Sequence, residues 1–81
     1  MTAKIYVTPK RGVLDPQGKA VEHALRTLGF DEVGDVRIGK YIEIRLAEGP
    51  REQRRSRIRE MCEKLLANQV IEDFRFEVVE K

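Results

Sequence analysis

The sequence contains few of the residues that build metal sites, disulfide frameworks or nucleophilic centres. One of its 81 residues is cysteine, Cys62, and one is histidine, His23. One chain therefore cannot assemble a disulfide framework or a tetrahedral zinc site from these side chains. Glycine-rich phosphate loops of the G-x-G-x-x-G or Walker type are missing as well. We expect a chain with no catalytic residues, no metal site and no cofactor site of its own.

Long apolar runs are also missing from the chain. No segment approaches the roughly 18 apolar residues that a membrane span requires. The first residues pass directly into an alternating segment, without the apolar stretch of a secretion signal. We therefore expect a cytoplasmic protein that makes no contact with a membrane.

The length and composition of the sequence predict one small folded domain over residues 1–81. Lysine and arginine number 16 against 14 acidic residues, which gives a formal net charge of +2, and 41% of the residues are hydrophobic. This composition supplies a core and a heavily charged exterior. A compact chain of this length would have a radius of gyration of about 12 Å.

Hydrophobic periodicity predicts strand, helix and strand in the first half of the chain. Residues 3–8 alternate between apolar and polar. Asp15 can cap a helix that begins at Pro16, because a proline at the first helical position has no N–H to lose. Gly29 is suited to end that helix in the left-handed conformation. Residues 35–46 alternate again, and a bend or bulge near residues 39–40 would divide one long strand in two or make a hairpin.

The second half of the chain is predicted as a helix followed by a strand. An apolar stripe at helical spacing predicts a helix over residues 51–67, and alternation through Phe74, Phe76 and Val78 predicts a strand over residues 71–79. The resulting order is β-α-β(β)-α-β. We predict an α+β two-layer sandwich, with both helices on one face of a three- to four-stranded, mainly antiparallel sheet.

The predicted sandwich leaves one sheet face and the sheet edges uncovered. Open edges must be blunted or paired with another chain, so we predict self-association as a dimer or a tetramer, which the sequence does not distinguish. Nothing in the chain would cover five side chains of the open face: Tyr6, Arg37, Tyr41, Arg45 and Arg75. Lys40 is a charge on the otherwise apolar side of the central alternating segment. The candidate interface residues are Tyr6, Arg37, Lys40, Tyr41 and Arg45.

Two isolated side chains have ordinary structural interpretations. His23 lies beside the apolar stripe of the first helix and has no orienting carboxylate, which indicates a surface or interface histidine. Cys62 lies within the stripe of the second helix. A thiol without an electropositive partner is typical of a small core residue.

Residues 51–59 carry the most uneven charge, with five arginines and one glutamate. Three interpretations are open: a solvated or salt-bridged helix surface, a contact with a protein partner, and a contact with nucleic acid. The positive side chains oppose the positive end of the helix dipole, which points to a partner or an acidic tail nearby. An RNA-binding sheet needs exposed aromatic residues, and only Tyr6 and Tyr41 are available for stacking. We therefore expect no nucleic acid partner.

Three segments, in their order and spacing, resemble the PurS family. They are VLDPQG followed closely by AVEHAL in residues 13–25, DVRIGKY in residues 35–41, and MCEKLLAN closed by VIEDF in residues 61–74. The resemblance covers nearly the whole chain. It matches the helix-opening turn of Asp15, Pro16 and Gly18, and the central strand motif that contains Arg37, Gly39 and Lys40.

This resemblance implies a non-catalytic subunit of phosphoribosylformylglycinamidine synthase, an ATP-dependent ligase of purine biosynthesis. The family's enzyme makes formylglycinamidine ribonucleotide from formylglycinamide ribonucleotide, ATP and glutamine. A glutaminase subunit releases ammonia, and a large synthetase subunit uses ATP and magnesium to add it to the substrate. By resemblance, this chain would dimerise, join the two larger subunits and support ammonia transfer, and it would bind no cofactor.

The residues alone leave a second class of function open. Dimers with β-α-β-β-α-β order often bind small molecules between their subunits, which makes a ligand-binding regulatory module the alternative. Its ligand would raise the thermal stability of the protein by mass action. The subunit interpretation instead predicts binding to two larger proteins.

Overall fold

The structure is a computed structural model that describes residues 1–80. Over these residues the chain forms β1 (Thr2–Pro9), α1 (Pro16–Thr27), β2 (Lys40–Arg45), α2 (Arg51–Met61) and β3 (Glu72–Val79). A π-helical turn at Cys62–Leu66 extends α2, as the predicted helix over residues 51–67 requires. The described strands form one antiparallel sheet in the order β2-β1-β3. The predicted α+β class, with two helices and a mainly antiparallel sheet, is confirmed.

The core lies between the sheet and α2. Ile5 of the central strand is opposite Ile42 of β2 and Phe76 of β3, so the apolar residues of all three strands share one face. Ile58 and Cys62 pack against this face from the helix and are completely buried. Cys62 is therefore the small core residue that its position predicts, and burial raises the pKa of its thiol. Three residues of β1 are also completely buried: Ala3, Ile5 and Val7.

The second strand is shorter than the sequence predicts. The prediction of a bent strand or hairpin over residues 35–46 is wrong for its first part, because residues 33–39 form an irregular connection and β2 begins at Lys40. Backbone groups of this connection bond to side chains from other elements. For example, Arg26 of α1 donates two hydrogen bonds to the Val33 carbonyl, at 3.1 and 3.0 Å. Groups bonded in this way cannot extend the ladder of the sheet.

α1 begins and ends at the residues that the sequence predicts. Asp15 is its N-cap and Pro16 its first residue. After the helix, Gly29 adopts a φ of +99°, and the Phe30 N–H donates back to the Leu25 carbonyl at 3.1 Å. This is the hydrogen-bond pattern of a Schellman motif, in which glycine accepts the left-handed conformation without steric penalty.

The placement of α1 differs from the predicted sandwich, because this helix extends away from the sheet. Within α1, Gly18 is the one buried residue, whereas Val21 is 38% and Leu28 is 72% exposed. The radius of gyration is accordingly 16.1 Å, with principal extents of 49 × 27 × 14 Å, against about 12 Å for a compact chain. Amphipathic spacing shows that one side of a helix is suited to burial. It does not show which chain supplies the covering surface.

Candidate interaction surfaces

The sheet face opposite α2 is uncovered over the described residues. Register places Tyr6 of β1 between Tyr41 of β2 and Arg75 of β3. Because alternate residues of a strand face opposite sides, this face presents four of the side chains that the sequence predicts there: Tyr6, Tyr41, Arg45 and Arg75. The same parity adds four charged residues that the predicted set did not include, although the alternation could have identified them: Lys4, Glu43, Asp73 and Glu77.

Tyr6 is at the centre of a contact network on this open face. Its ring centroid is 5.1 Å from that of Tyr41, and the guanidinium carbon of Arg75 lies 4.0 Å from the Tyr6 centroid. The Tyr6 hydroxyl donates to Glu77 at 3.4 Å. Aromatic and cation–π contacts of this kind hold both rings in defined positions. The face therefore presents ordered tyrosine and arginine side chains, which are enriched at protein interfaces.

Tyr41 is suited to contact and not to proton transfer. Its hydroxyl donates to Glu43 Oε2 at 2.8 Å, and mainly for this reason the pKa of Tyr41 is raised to about 12. The phenol is therefore protonated near neutral pH and cannot serve as a base there. Because Tyr41 is 50% exposed, its ring is available to another molecule.

Arg37 and Lys40 do not lie on the open face, and the prediction that Arg37 does is wrong. Arg37 precedes β2, and its Nη1 donates to the Pro9 carbonyl at 3.0 Å. Lys40 is the first residue of β2 and lies opposite Val7, on the side of the sheet that faces α2. Its prediction as a charge on the apolar side is confirmed. The structure thus separates these two residues from the other three interface candidates.

The helix-opening turn of Asp15, Pro16 and Gly18 forms as predicted. Asp15 Oδ1 accepts from the Gly18 N–H at 3.0 Å, and Oδ2 accepts from the Ile38 N–H at 2.9 Å. These bonds, the one from Ile38 above all, lower the pKa of the Asp15 carboxyl. Gly18 is buried, and a Cβ at this position would collide with the Val36 carbonyl oxygen. The turn therefore joins α1 to the connection that precedes β2.

A cleft of about 340 Å³ lies between the β1–α1 loop and the connection before β2. Sequence reasoning missed this cleft, because its lining comes from two separate segments that share no motif. The bond from Ile38 to Asp15 ties the two segments together. The charged side chains of the lining are Lys10, Arg11, Lys19 and Arg37, with Asp15 and Asp35 as the carboxylates.

A third surface is apolar and surrounds α1. Leu14 is 81%, Leu28 72% and Phe30 47% exposed. His23 is exposed on the same helix, in keeping with the surface histidine that the sequence predicts. Large apolar side chains with this exposure are candidates for contact with another protein.

The arginines of α2 largely contact their own chain. Arg51 forms an ion pair with Glu80 at 3.1 Å. The guanidinium carbons of Arg55 and Arg59 lie 5.2 and 5.3 Å from the centroid of the Phe76 ring. These contacts favour the interpretation of residues 51–59 as a salt-bridged helix surface. Glu80 lies near the end of the chain, which agrees with the acidic tail, one of the two alternatives that the dipole argument leaves open.

Over residues 1–80, no three metal-ligating side chains lie close enough together to hold an ion. In the same part of the chain, no helix is both long enough and apolar enough to cross a membrane.

The fold defines a small α+β domain with three open surfaces: the sheet face, the cleft and the apolar surface around α1. The family model PurS, described as phosphoribosylformylglycinamidine (FGAM) synthase, matches residues 2–80. The PurS subunit of phosphoribosylformylglycinamidine synthase from Bacillus subtilis strain 168 is 56% identical over 77 residues, which cover 95% of this chain and 90% of the relative. The chain therefore belongs to the PurS family, whose members are subunits of this synthase in purine biosynthesis, and the resemblance seen in the sequence is confirmed.

Solved structures show the same fold. B. subtilis PurS superimposes with a TM-score of 0.84 at 54% identity, covering 98% of both chains. PurS from Methanocaldococcus jannaschii, one of the subunits of formylglycinamide ribonucleotide amidotransferase, gives a TM-score of 0.83 at 39% identity and covers 99% of this chain and 96% of that one. A chain of the PurLQS structure from Thermotoga maritima gives 0.82 at 27% identity, covering 98% and 99%.

Proposed function

We propose that this chain is the non-catalytic subunit that joins the glutaminase and large synthetase subunits of phosphoribosylformylglycinamidine synthase and supports ammonia transfer between them. The observation that carries the proposal is its end-to-end match with a chain of the T. maritima PurLQS structure, over 98% of this chain and 99% of that chain. In this division of roles, ATP and magnesium bind the large subunit and this chain binds no cofactor. The complex would work in the cytoplasm.

The surfaces of the chain are consistent with a role in assembly. The open sheet face offers an ordered Tyr6–Tyr41 pair, with ring centroids 5.1 Å apart. Tyr41, whose pKa is about 12, is a hydrogen-bond donor at neutral pH. Tyrosine and arginine side chains in such positions favour protein contact over chemistry.

Self-association belongs to the same proposal. β2 and β3 each pair with β1 on one side only, so each leaves an edge that another strand can reach. The apolar side of α1, with Leu28 72% exposed, also lacks a cover among the described residues. A second copy of the chain can cover such surfaces in a symmetric arrangement. We expect a dimer or a tetramer.

Reconstitution of the reaction tests the proposed function. The purified large and glutaminase subunits are assayed for formylglycinamidine ribonucleotide with glutamine as the nitrogen donor, in the presence and absence of this chain. A parallel assay supplies ammonia in place of glutamine. We expect the glutamine reaction to require this chain, because its ammonia must pass between subunits, while the ammonia reaction proceeds without it.

Equal rates in the presence and absence of this chain, with both nitrogen donors, would contradict the proposal. The regulatory module would then be the better interpretation. A screen for small molecules that raise the melting temperature would follow, since a ligand of the folded state stabilises it by mass action.

A further inference from the structure

We propose that the cleft between the β1–α1 loop and the connection before β2 is a docking site for an acidic, partly apolar segment of one of the larger subunits. The inference rests on the proposed function and gives it a location. The occupant is identified by charge and by the apolar rim of the cleft.

The cationic side chains of the cleft are weakly neutralised by their own chain. Arg11 has no hydrogen-bond or ion-pair partner within residues 1–80. Lys10 reaches Asp73 only at 4.0 Å and Lys19 reaches Glu22 at 3.8 Å. Ion pairs of this length that include an exposed lysine contribute little. Positive charge is therefore available to a partner.

The carboxylates of the lining do not cancel this charge. Asp15 uses one oxygen for the Gly18 N–H and the other for the Ile38 N–H. Backbone donors thus already compensate it, and Asp35 is the one other carboxylate in the cleft. With four cationic side chains against two carboxylates, the lining is complementary to an anionic group.

The loop holds the backbone of Arg11 in a defined turn. The Val13 N–H donates to the Lys10 carbonyl at 3.2 Å, which closes a turn around Arg11 and Gly12. Gly12 adopts a φ of +83°, a conformation that glycine takes without strain. The backbone of a closed turn loses less conformational freedom on binding than that of an open loop.

The rim of the cleft favours a protein segment over a small phosphorylated molecule. Leu14 belongs to the lining and is 81% exposed, so it can pack against an apolar side chain of an occupant. Small-molecule sites enclose most of their ligand, and a free phosphate makes no use of an exposed leucine. Arginine is enriched at protein interfaces, and a protein segment can cover the exposed leucine beside it.

Charge reversal tests the assignment. Labelled wild-type protein and its Arg11→Glu variant are titrated with each larger subunit at two salt concentrations. Arg57→Glu is the matched control, because Arg57 is an exposed α2 arginine whose ion pair with Glu60 is 3.9 Å long. We expect Arg11→Glu to weaken binding to one larger subunit about tenfold or more and to reduce its salt dependence. The control should bind like wild type.

A second variant tests the apolar part of the site without a change of charge. Leu14→Asn should also weaken binding to the same larger subunit as Arg11→Glu, while its circular dichroism matches that of the wild type. Because the side chain of Leu14 is 81% exposed, the substitution removes little intrachain packing.

Several results would overturn the assignment. Binding of Arg11→Glu equal to that of Arg57→Glu would exclude the cleft and leave the proposed function intact. Loss of self-association in Arg11→Glu would assign the cleft to a second copy of the chain. Stabilisation of the wild type but not of Arg11→Glu by inorganic phosphate would assign it to a small anion. A wild type that binds neither larger subunit would overturn the proposed function as well.

Discussion

The carboxylate of Asp15 accepts a hydrogen bond from the Ile38 N–H at 2.9 Å, across 23 positions of the chain. The same carboxylate caps α1 through the Gly18 N–H at 3.0 Å. One side chain therefore fixes both the start of α1 and the path of the connection before β2. Because α1 extends away from the sheet, this link helps to set the direction in which the helix points.

Protonation of Asp15 in acid should weaken the hydrogen bonds that its carboxylate accepts from Gly18 and Ile38. The hydrogen bonds to Asp15 lower the pKa of its carboxyl below the ordinary value of 3.8. The carboxylate therefore stabilises the folded state at pH values above the unfolded-state pKa. This contribution is lost as the pH falls through the folded-state pKa. We expect Asp15→Asn to be less stable than wild type at neutral pH, and the difference to shrink below about pH 4. Urea unfolding at a series of pH values measures both effects. A difference independent of pH would contradict the assignment.

Alanine at Gly18 should destabilise the fold, although glycine-to-alanine changes inside helices ordinarily stabilise by about 1 kcal/mol. The added Cβ would collide with the Val36 carbonyl oxygen, and overpacking of this kind costs about 1–3 kcal/mol. Gly34→Ala is the matched control, because a Cβ there meets nothing within 4 Å. Its stability should equal or slightly exceed that of wild type. Guanidinium unfolding gives both values, and a Gly18→Ala variant as stable as Gly34→Ala would show that the connection moves aside freely.

Tyr41 should ionise well above the ordinary range of a phenol. In a Tyr6→Phe variant it is the one remaining tyrosine, and its ultraviolet absorbance should titrate with a midpoint close to the pKa of about 12. Adding Glu43→Gln removes the charged acceptor and should bring the midpoint toward 10.0. Because the raised pKa belongs to the folded state, Tyr41 contributes stability below the unfolded pKa that is lost as the pH rises through the folded value. A midpoint near 10.0 in the Tyr6→Phe variant itself would show that the bond to Glu43 does not persist in solution.

Alternation predicted β1 and β3 correctly but failed over residues 35–39, and hydrogen bonding explains the difference. Alternation reports which way side chains face, whereas a strand also needs a neighbour for its backbone groups. Here the Ile38 N–H bonds to Asp15, and a Cβ on Gly39 would collide with the Val7 carbonyl. Gly39 therefore lies in close contact with the backbone of β1, at a position where only a glycine fits. The partner that ends the strand is a distant side chain, which no local pattern reveals.

Leu28→Glu should weaken self-association while leaving the folded chain intact. Leu28 is 72% exposed within one chain, and substitutions at such positions usually change stability by no more than about 0.5 kcal/mol. A charge buried between two copies would be far more costly. Leu65→Glu is the matched control, since Leu65 is 82% exposed and lies in the π-helical turn that follows α2. Sedimentation velocity compares the assembly states of the wild type and the two variants. A Leu28→Glu variant with the same mass as wild type would exclude this side of α1 from the interface.

Sequence reasoning predicts the parts of the candidate sites that depend on local spacing, and it misses the parts that depend on contacts between distant segments. Period-2 spacing placed Tyr6, Tyr41 and Arg45 on one face, because a single strand register decides the facing of all its residues. The capping role of Asp15 follows from local sequence, since its partner Gly18 is three positions away. The cleft around Arg11 depends on how two separate segments meet. The sequence of neither segment predicts that the two will lie side by side.

The sheet order has a consequence for how the protein is made. β1 lies between two strands that both follow it in the chain, and its pairing with β3 joins Thr2 to Val79. The ribosome synthesises the N-terminal part of a domain first. The second edge of β1 therefore stays unpaired until nearly the whole chain has been synthesised. Contacts of such high sequence separation form slowly. Until β3 has been synthesised, the unpaired edge of β1 can pair with a strand of a neighbouring nascent chain. The newly synthesised polypeptide is therefore open to aggregation through this edge.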